Sequence, residues 1–184
     1  MMNNKNNRIK IVIVGSSETG KSILEQYLRD GSVKFEDYIP TLGADYLIKV
    51  LLYKKNLYEI VLWDTTERFF QIAKSLMQGA HILFILFNYN DRRTFDFAKT
   101  LFNERKNEQQ VFVLVGAKYD LKITTKKEDD VVHEEEVLEL ANEKNALCVH
   151  LSLLEKYSNG VIELLKKSLD EYIKKRQIQH FIYD

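Results

Sequence analysis

The octapeptide GSSETGKS, Gly15 to Ser22, settles most of what this chain can fold into. It follows the apolar run IKIVIV, Ile9 to Val14, and opens the amphipathic stretch Gly20 to Arg29. A turn that leaves a strand and enters a helix in so few residues lines up backbone N–H groups at a helix N-terminus, where an anion is stabilised. Every defined position of G-x-x-x-x-G-K-S is filled. Lys21 is therefore placed to reach the β- and γ-phosphates of a nucleotide, and Ser22 to ligate Mg²⁺. The competing reading is an accidental Gly-Lys-Ser turn, which the strand before and the helix after both disfavour.

Beyond this turn the periodicity alternates. Asp45–Leu52 and Leu57–Trp63 read as a hairpin around the polar KKN, Phe69–Gln78 as a helix and His81–Phe87 as a buried strand. Arg92–Lys106 reads as a helix, Val111–Gly116 as a strand, Glu134–Lys144 as a helix, Leu147–Leu151 as a strand and Val161–Lys175 as a closing helix. The pattern implies an α/β fold: a mostly parallel six-stranded sheet with helices on both faces, its ligand at the carboxyl ends of the strands. With 184 residues, 45% of them hydrophobic, and one Pro, a single domain over residues 9–176 is expected. A flexible N-terminus, 1–8, precedes it, and a C-terminal tail or linker start, 177–184, follows it. Lys plus Arg and Asp plus Glu each number 27, so the zero net charge gives no reason to expect nucleic acid. The lone Cys148 suits a reducing cytoplasm, no secretory signal is present, and HILFILF is too short to span a bilayer.

Four further segments narrow the nucleotide chemistry: YIPTLGADY from Tyr38, LWDTTERF from Leu62, DRRTF from Asp91 and GAKYDL from Gly116. Asp64 ends an apolar run, where a carboxylate can face Mg²⁺ across a water. Asp120 follows a buried strand, and its two oxygens can accept both N–H groups on the Watson–Crick edge of guanine, a pattern adenine does not offer. Thr41 follows the only proline and offers a hydroxyl to a hydrated ion. Taken singly, each has an ordinary reading as a surface Thr or a turn Asp.

In order and spacing these segments resemble the Ras superfamily of small GTPases, most of all its Rab branch, from about Ile9 to Tyr172. The resemblance implies a P-loop NTPase fold of the small G-domain type that binds GTP and GDP with Mg²⁺. By it, Gly15, Ser17, Glu18, Thr19, Gly20, Lys21 and Ser22 hold the phosphates. Phe35 and Tyr38 flank the nucleotide, and Thr41 is the switch I threonine that closes on Mg²⁺ and γ-phosphate. The metal set is Ser22, Thr41 and, through water, Asp64. Ala117, Lys118 and Asp120, with Ser152, Leu153 and Leu154, surround the guanine. Effector and exchange-factor proteins would dock on the switches, near Tyr38–Tyr46 and Glu67–Gln71, and vesicle trafficking is the implied setting.

Departures from the family pattern are as informative. The family reads Trp-Asp-Thr-Ala-Gly-Gln-Glu-Arg-Phe; this chain passes from Trp63, Asp64 and Thr65 through Thr66 straight to Glu67, Arg68 and Phe69. Missing are the glycine that senses γ-phosphate and the glutamine that orients the attacking water, so very slow hydrolysis and failure of GAP activation are expected; Gln71 lies inside the next helix. Apart from Thr41, no catalytic residue is assigned. The usual Asn-Lys-x-Asp begins with Ala117, which offers no side-chain amide, so a base contact and a tie to the phosphate turn are both lost, at an expected loss of about 1–3 kcal/mol of binding if nothing compensates. Ser-Ala-Lys appears as Ser152, Leu153 and Leu154. Phe35 sits one residue nearer Thr41 than the family's aromatic, and Glu18 would put a carboxylate beside phosphate unless it faces solvent.

No prenylation cysteine ends the chain at QIQHFIYD, and residue 2 is not glycine. Two alternatives stay open: a cytoplasmic protein without a lipid anchor, or part of a longer, tandem chain, recruited to endomembranes through partners or a further C-terminal segment. Nothing in the sequence calls for oligomerisation. Cys148 reads as a small core residue, His81, His133 and His150 lack metal-ligand spacing, and the acid run Glu128–Glu136 reads as loop and helix start. Phe69 and Phe70 are candidates for the partner surface. A pseudo-GTPase that binds nucleotide weakly or in one state is the second functional reading, and an ATP-using P-loop enzyme the third.

Overall fold

Ile9, Ile11 and Ile13 alternate with Val12 and Val14 along the first strand, and the two sets enter different cores. That alternation buries the strand on both faces and makes it the centre of the molecule. A computed structural model describes residues 7–31, 44–65, 70–103, 109–121, 131–152 and 159–183. The elements run β1 (Arg8–Gly15), α1 (Lys21–Asp30), β2 (Ala44–Tyr53), β3 (Asn56–Thr65), α2 (Phe70–Gln78), β4 (Ile82–Asn88), α3 (Arg92–Phe102), β5 (Val111–Ala117), α4 (Glu134–Glu143), β6 (Leu147–His150) and α5 (Asn159–Tyr183). A 3₁₀ turn, Tyr119–Leu121, follows β5. The six-stranded sheet has the order β2-β3-β1-β4-β5-β6, with only the β2–β3 pair antiparallel.

One face of the sheet packs on α1 and α5, through Leu24, Tyr27, Leu164 and Leu169. The opposite face packs on α2, α3 and α4, through Met77, Phe95, Ala98, Val137 and Leu140. Each helix turns an apolar stripe to the sheet and polar residues to water, the expected arrangement for a two-sided α/β core. Asp91 caps α3 by accepting the Arg93 N–H (3.1 Å), and the His133 N–H donates to Glu136 Oε1 (3.2 Å) in the first turn of α4. Among the described residues no helix is long and apolar enough to cross a membrane.

Two helix ends differ from expectation. α3 stops at Phe102, four residues short of Lys106, where Asn103 turns its N–H onto the Thr100 carbonyl (3.1 Å). α5 continues past Lys175 to Tyr183, so the expected tail 177–184 is helix up to that residue; no Gly or Pro interrupts it after Gly160. At the other end β1 already includes Arg8, inside the expected flexible stretch 1–8.

The hairpin turns on Lys54 and Lys55, both left-handed at φ 47° and 66°. Two positive φ values are what a two-residue hairpin loop of this hand requires, and lysines accept them at roughly 1–2 kcal/mol each. Lys54 Nζ reaches Asp170 Oδ1 (2.6 Å), and Tyr53 OH donates to the same oxygen (2.9 Å), so the tip is fastened to α5. β2 is one of the two edge strands, opposite β6. Tyr46, Ile48, Val50 and Leu52 on its outer face, with Leu57 on β3, are all 52–68% exposed. Its inner face, Leu47, Leu51 and Tyr53, lines a cavity of about 420 Å³ against Tyr27, Leu28 and Leu165. The charge on β2's inner face, Lys49, donates to the Leu28 and Arg29 carbonyls (2.8 and 3.3 Å) at the end of α1.

Candidate nucleotide site

Five parallel strands end along one edge of the sheet, and the turn Gly15–Ser22 lies there between β1 and α1. Gly15 has φ +153°, and a Cβ on it would lie 2.4 Å from the Leu86 carbonyl oxygen of β4 and 3.1 Å from Thr19 Oγ1. Only glycine lets the loop approach its neighbouring strand so closely. The loop then folds on one of its own carbonyls: Thr19 Oγ1 and Lys21 Nζ both donate to Ser16 O, at 2.9 and 2.7 Å. Thr19 is fully buried and Lys21 is 7% exposed, so the ammonium is withdrawn from water beside the start of α1. Ser17 and Glu18 are exposed, with Glu18 in the left-handed region at φ 61°. Its carboxylate therefore faces solvent.

β3 delivers the acid. Asp64 is in register with Ile13 of β1, is 2% exposed, and accepts from Ser22 Oγ through Oδ2 at 2.7 Å. Residues 42 apart in sequence thus bring a hydroxyl and a carboxylate together. Such hard oxygen donors fit Mg²⁺, which keeps waters and takes few protein ligands. Next to them Thr65 Oγ1 donates to the Ile13 carbonyl (2.9 Å), a tie between β3 and β1 that sequence reading missed.

The other end of the site is formed by β5 and β6. Ala117 is 1% exposed at the end of β5, Lys118 turns the chain at φ 54°, and Asp120 sits half-buried in the 3₁₀ turn. The last regular pair, Gly116 with His150, is extended by two backbone bonds, Leu151 N–H to Gly116 O (2.8 Å) and Tyr119 N–H to Leu151 O (3.1 Å). The segments expected to surround guanine are therefore zipped together. Ser152 follows directly, and its Oγ is buried without a hydrogen-bond partner among the described residues. A buried hydroxyl in this position suits a site that receives a polar ligand.

Of the remaining expected residues, Phe35, Tyr38, Thr41, Leu153 and Leu154 lie outside the described residues, as do Thr66–Phe69 and the side chain of Phe70. On the expected partner surface Tyr46 stacks on Trp63 (5.0 Å between centroids), and Gln71 is exposed in α2. Sequence reading treated His150 and Cys148 separately. The structure joins them: Tyr89 OH and His150 Nδ1 share a hydrogen bond, and Cys148 Sγ lies 3.9 Å from His150 Nε2. Tyr89 lies between the expected strand His81–Phe87 and the expected helix from Arg92, and only the β4–β5–β6 order brings it beside β6.

A family model described as the Ras family matches residues 10–174. The Ras-related protein RabV of Dictyostelium discoideum is 34% identical over 129 residues, covering 66% of this chain and 54% of the relative. The GTP-binding protein YPT1 of Saccharomyces cerevisiae is 34% identical over 130 residues, covering 68% and 63%. The Ras-related protein RABC2a of Arabidopsis thaliana is 31% identical over 150 residues, covering 78% and 68%. The chain thus spans between about half and two thirds of the length of these three relatives.

Proposed function

We propose, because the chain belongs to the Ras family, that it is a Rab-like switch which binds GTP and GDP with Mg²⁺ and hydrolyses GTP very slowly. The observation that carries this reading is the Ser22–Asp64 hydrogen bond beside the withdrawn Lys21 ammonium at the carboxyl ends of β1 and β3. Lys21 would transfer its donors from the Ser16 carbonyl to phosphate oxygens, exchanging a neutral acceptor for charged ones, which form stronger bonds. The N–H groups of the turn and of the first residues of α1 would bind the same anion. Ser22 and Asp64, with Thr41, would hold Mg²⁺, which when bound neutralises phosphate charge. Lys118 and Asp120 would read guanine, with Ser152, Leu153 and Leu154 across the base.

Slow turnover follows from the two residues missing between Thr66 and Glu67. Positioning of the water supplies much of the rate in phosphoryl transfer, and no side chain assigned to this site does that. Such a chain would persist in its GTP-bound form and recruit effectors through the surface around Tyr46, in keeping with a role in vesicle trafficking. Denaturing the purified protein and identifying the released nucleotide by chromatography tests the binding; single-turnover hydrolysis beside an ordinary Rab tests the rate. Stoichiometric guanine nucleotide with hydrolysis at the Rab's rate would refute slow turnover. An empty protein whose cellular function survives Lys21→Ala would favour the second reading, a pseudo-GTPase interaction module, for which Ala117 is the motivating residue.

A further inference from the structure

The end of β4 carries a tyrosine that the nucleotide reading does not use. Tyr89 is fully buried, and its ring packs edge-on to Phe87 (4.9 Å) and Tyr119 (5.4 Å) and beside His150 (5.7 Å). Tyr119 in turn lies over His150 at 5.2 Å. The strand between them makes room: a Cβ on Gly116 would fall 2.3 Å from Tyr89 Cε2, so the ring occupies the space a side chain would need. Burial raises the Tyr89 phenol far above its ordinary pKa and pushes the Cys148 thiol up to about 11, so both stay protonated. Tyr89 OH shares its hydrogen bond with His150 Nδ1, and the other ring nitrogen, Nε2, lies against Cys148 Sγ, so the imidazole is held at both nitrogens. Tyr119 is held at a third point, where its hydroxyl donates to Glu134 Oε1 (2.6 Å) at the start of α4.

All of these contacts converge on one short piece of backbone. Tyr119 lies between Lys118 and Asp120, and its own N–H is bonded to Leu151 O. We propose that His150, clamped between Tyr89 and Tyr119, is the positioning residue for the Lys118–Asp120 turn, and that this stack replaces the tie lost where Ala117 stands for the family's asparagine. The inference rests on the reading of that turn as the guanine-contacting loop. Side chains that contact a ligand need neighbours that lock them in place, and a stack of hydrogen-bonded aromatic and imidazole rings, anchored on the buried Tyr89, supplies that rigidity without touching the base. Selectivity follows from the same logic. Asp120 discriminates the exocyclic amine of guanine only while its carboxylate is held in register with the base edge.

The test uses the full chain with bound fluorescent GDP analogue and three variants: His150→Ala, Tyr89→Phe, and His150→Ala with Ala117→Asn. His150→Ala should speed nucleotide release about tenfold or more and narrow the preference for guanosine over inosine diphosphate. Tyr89→Phe, which keeps the ring and removes only the hydroxyl, should fall between. Adding Ala117→Asn should restore much of the selectivity, a recovery that repair of general stability would not give. Chelating Mg²⁺ should accelerate release by the same factor in wild type and variants, because the Ser22–Asp64 end is untouched. Amide exchange at the Tyr119 N–H, measured without nucleotide, should rise in His150→Ala. Wild-type release and selectivity in both His150→Ala and Tyr89→Phe would overturn the stack alone. A wild-type chain that binds no guanine nucleotide would overturn the site reading and this role together.

Discussion

Replacing Glu136 with glutamine should destabilise the chain by roughly 1–2 kcal/mol at neutral pH, and most of that loss should vanish in acid. Arg92, the first residue of α3, donates Nη1 to Glu136 Oε2 (2.9 Å) and Nη2 to Oε1 (2.7 Å), and Nη2 also reaches the Val131 carbonyl (2.8 Å). Those bonds, helped by the His133 N–H, outweigh burial and hold the Glu136 carboxyl down at about 2 from an ordinary 4.5. At 1.36 kcal/mol per pH unit the interval sets a ceiling of about 3.4 kcal/mol. The two side chains are 30% and 35% exposed, so solvent screening brings the figure down to the range above. Because the folded value lies below the unfolded one, the contribution is complete above about pH 4.5 and lost as the pH falls through about 2. At pH 3 about 0.4 of it should remain, by the same linkage. Urea unfolding of wild type and Glu136→Gln at pH 7 and pH 3 reads both numbers. Equal stabilities at pH 7, or a gap that stays constant between the two pH values, would refute the reasoning.

Gly15→Ala should cost at least about 3 kcal/mol, from a strained backbone and a Cβ driven against the Leu86 carbonyl; Gly31→Ala, with nothing within 4 Å of its Cβ, should cost only about 1 kcal/mol in thermal melts. Ser22→Ala should remove most of the Mg²⁺ dependence of GDP release, so that release in excess Mg²⁺ approaches the rate seen with chelator. Thr65→Val should lower stability by about 1–2 kcal/mol in urea, since the Ile13 carbonyl loses its buried hydroxyl partner.

How much of this was legible in the sequence depended on the range over which each feature is set. Gly15 to Ser22 announced itself because eight consecutive residues build the phosphate turn. The six strands were legible because apolar runs bounded by polar breaks need no partner to be recognised. Ser22 and Asp64 were placed on one metal by the family resemblance alone, because their hydrogen bond joins residues 42 apart through the β1–β3 register, which no local pattern shows. Tyr89 and His150 are 61 apart and meet only because β5 lies between their strands with a glycine where the rings need space. Helix ends were off by several residues for a local reason. Asn103 ends α3 with a backbone bond that composition does not specify, while α5 meets no stop signal after Lys175. The two-lysine turn of the hairpin carries none of the usual Asn or Gly, so its type showed only in the dihedrals.

The edge strand β2 also governs how the purified protein will behave in the tube. Among the described residues no further strand neighbours the outer edge of β2, which carries apolar side chains on both faces, and Lys49, which elsewhere would discourage a neighbour, is turned onto the end of α1. A formal charge of zero at neutral pH adds no long-range repulsion between molecules. Of the two edge strands, β2 is the longer and the one with exposed apolar residues on its outer face, so solubility should be lowest near pH 7, improve as the pH moves away from it, and improve with a single added charge such as Val50→Lys, while mild salt does little.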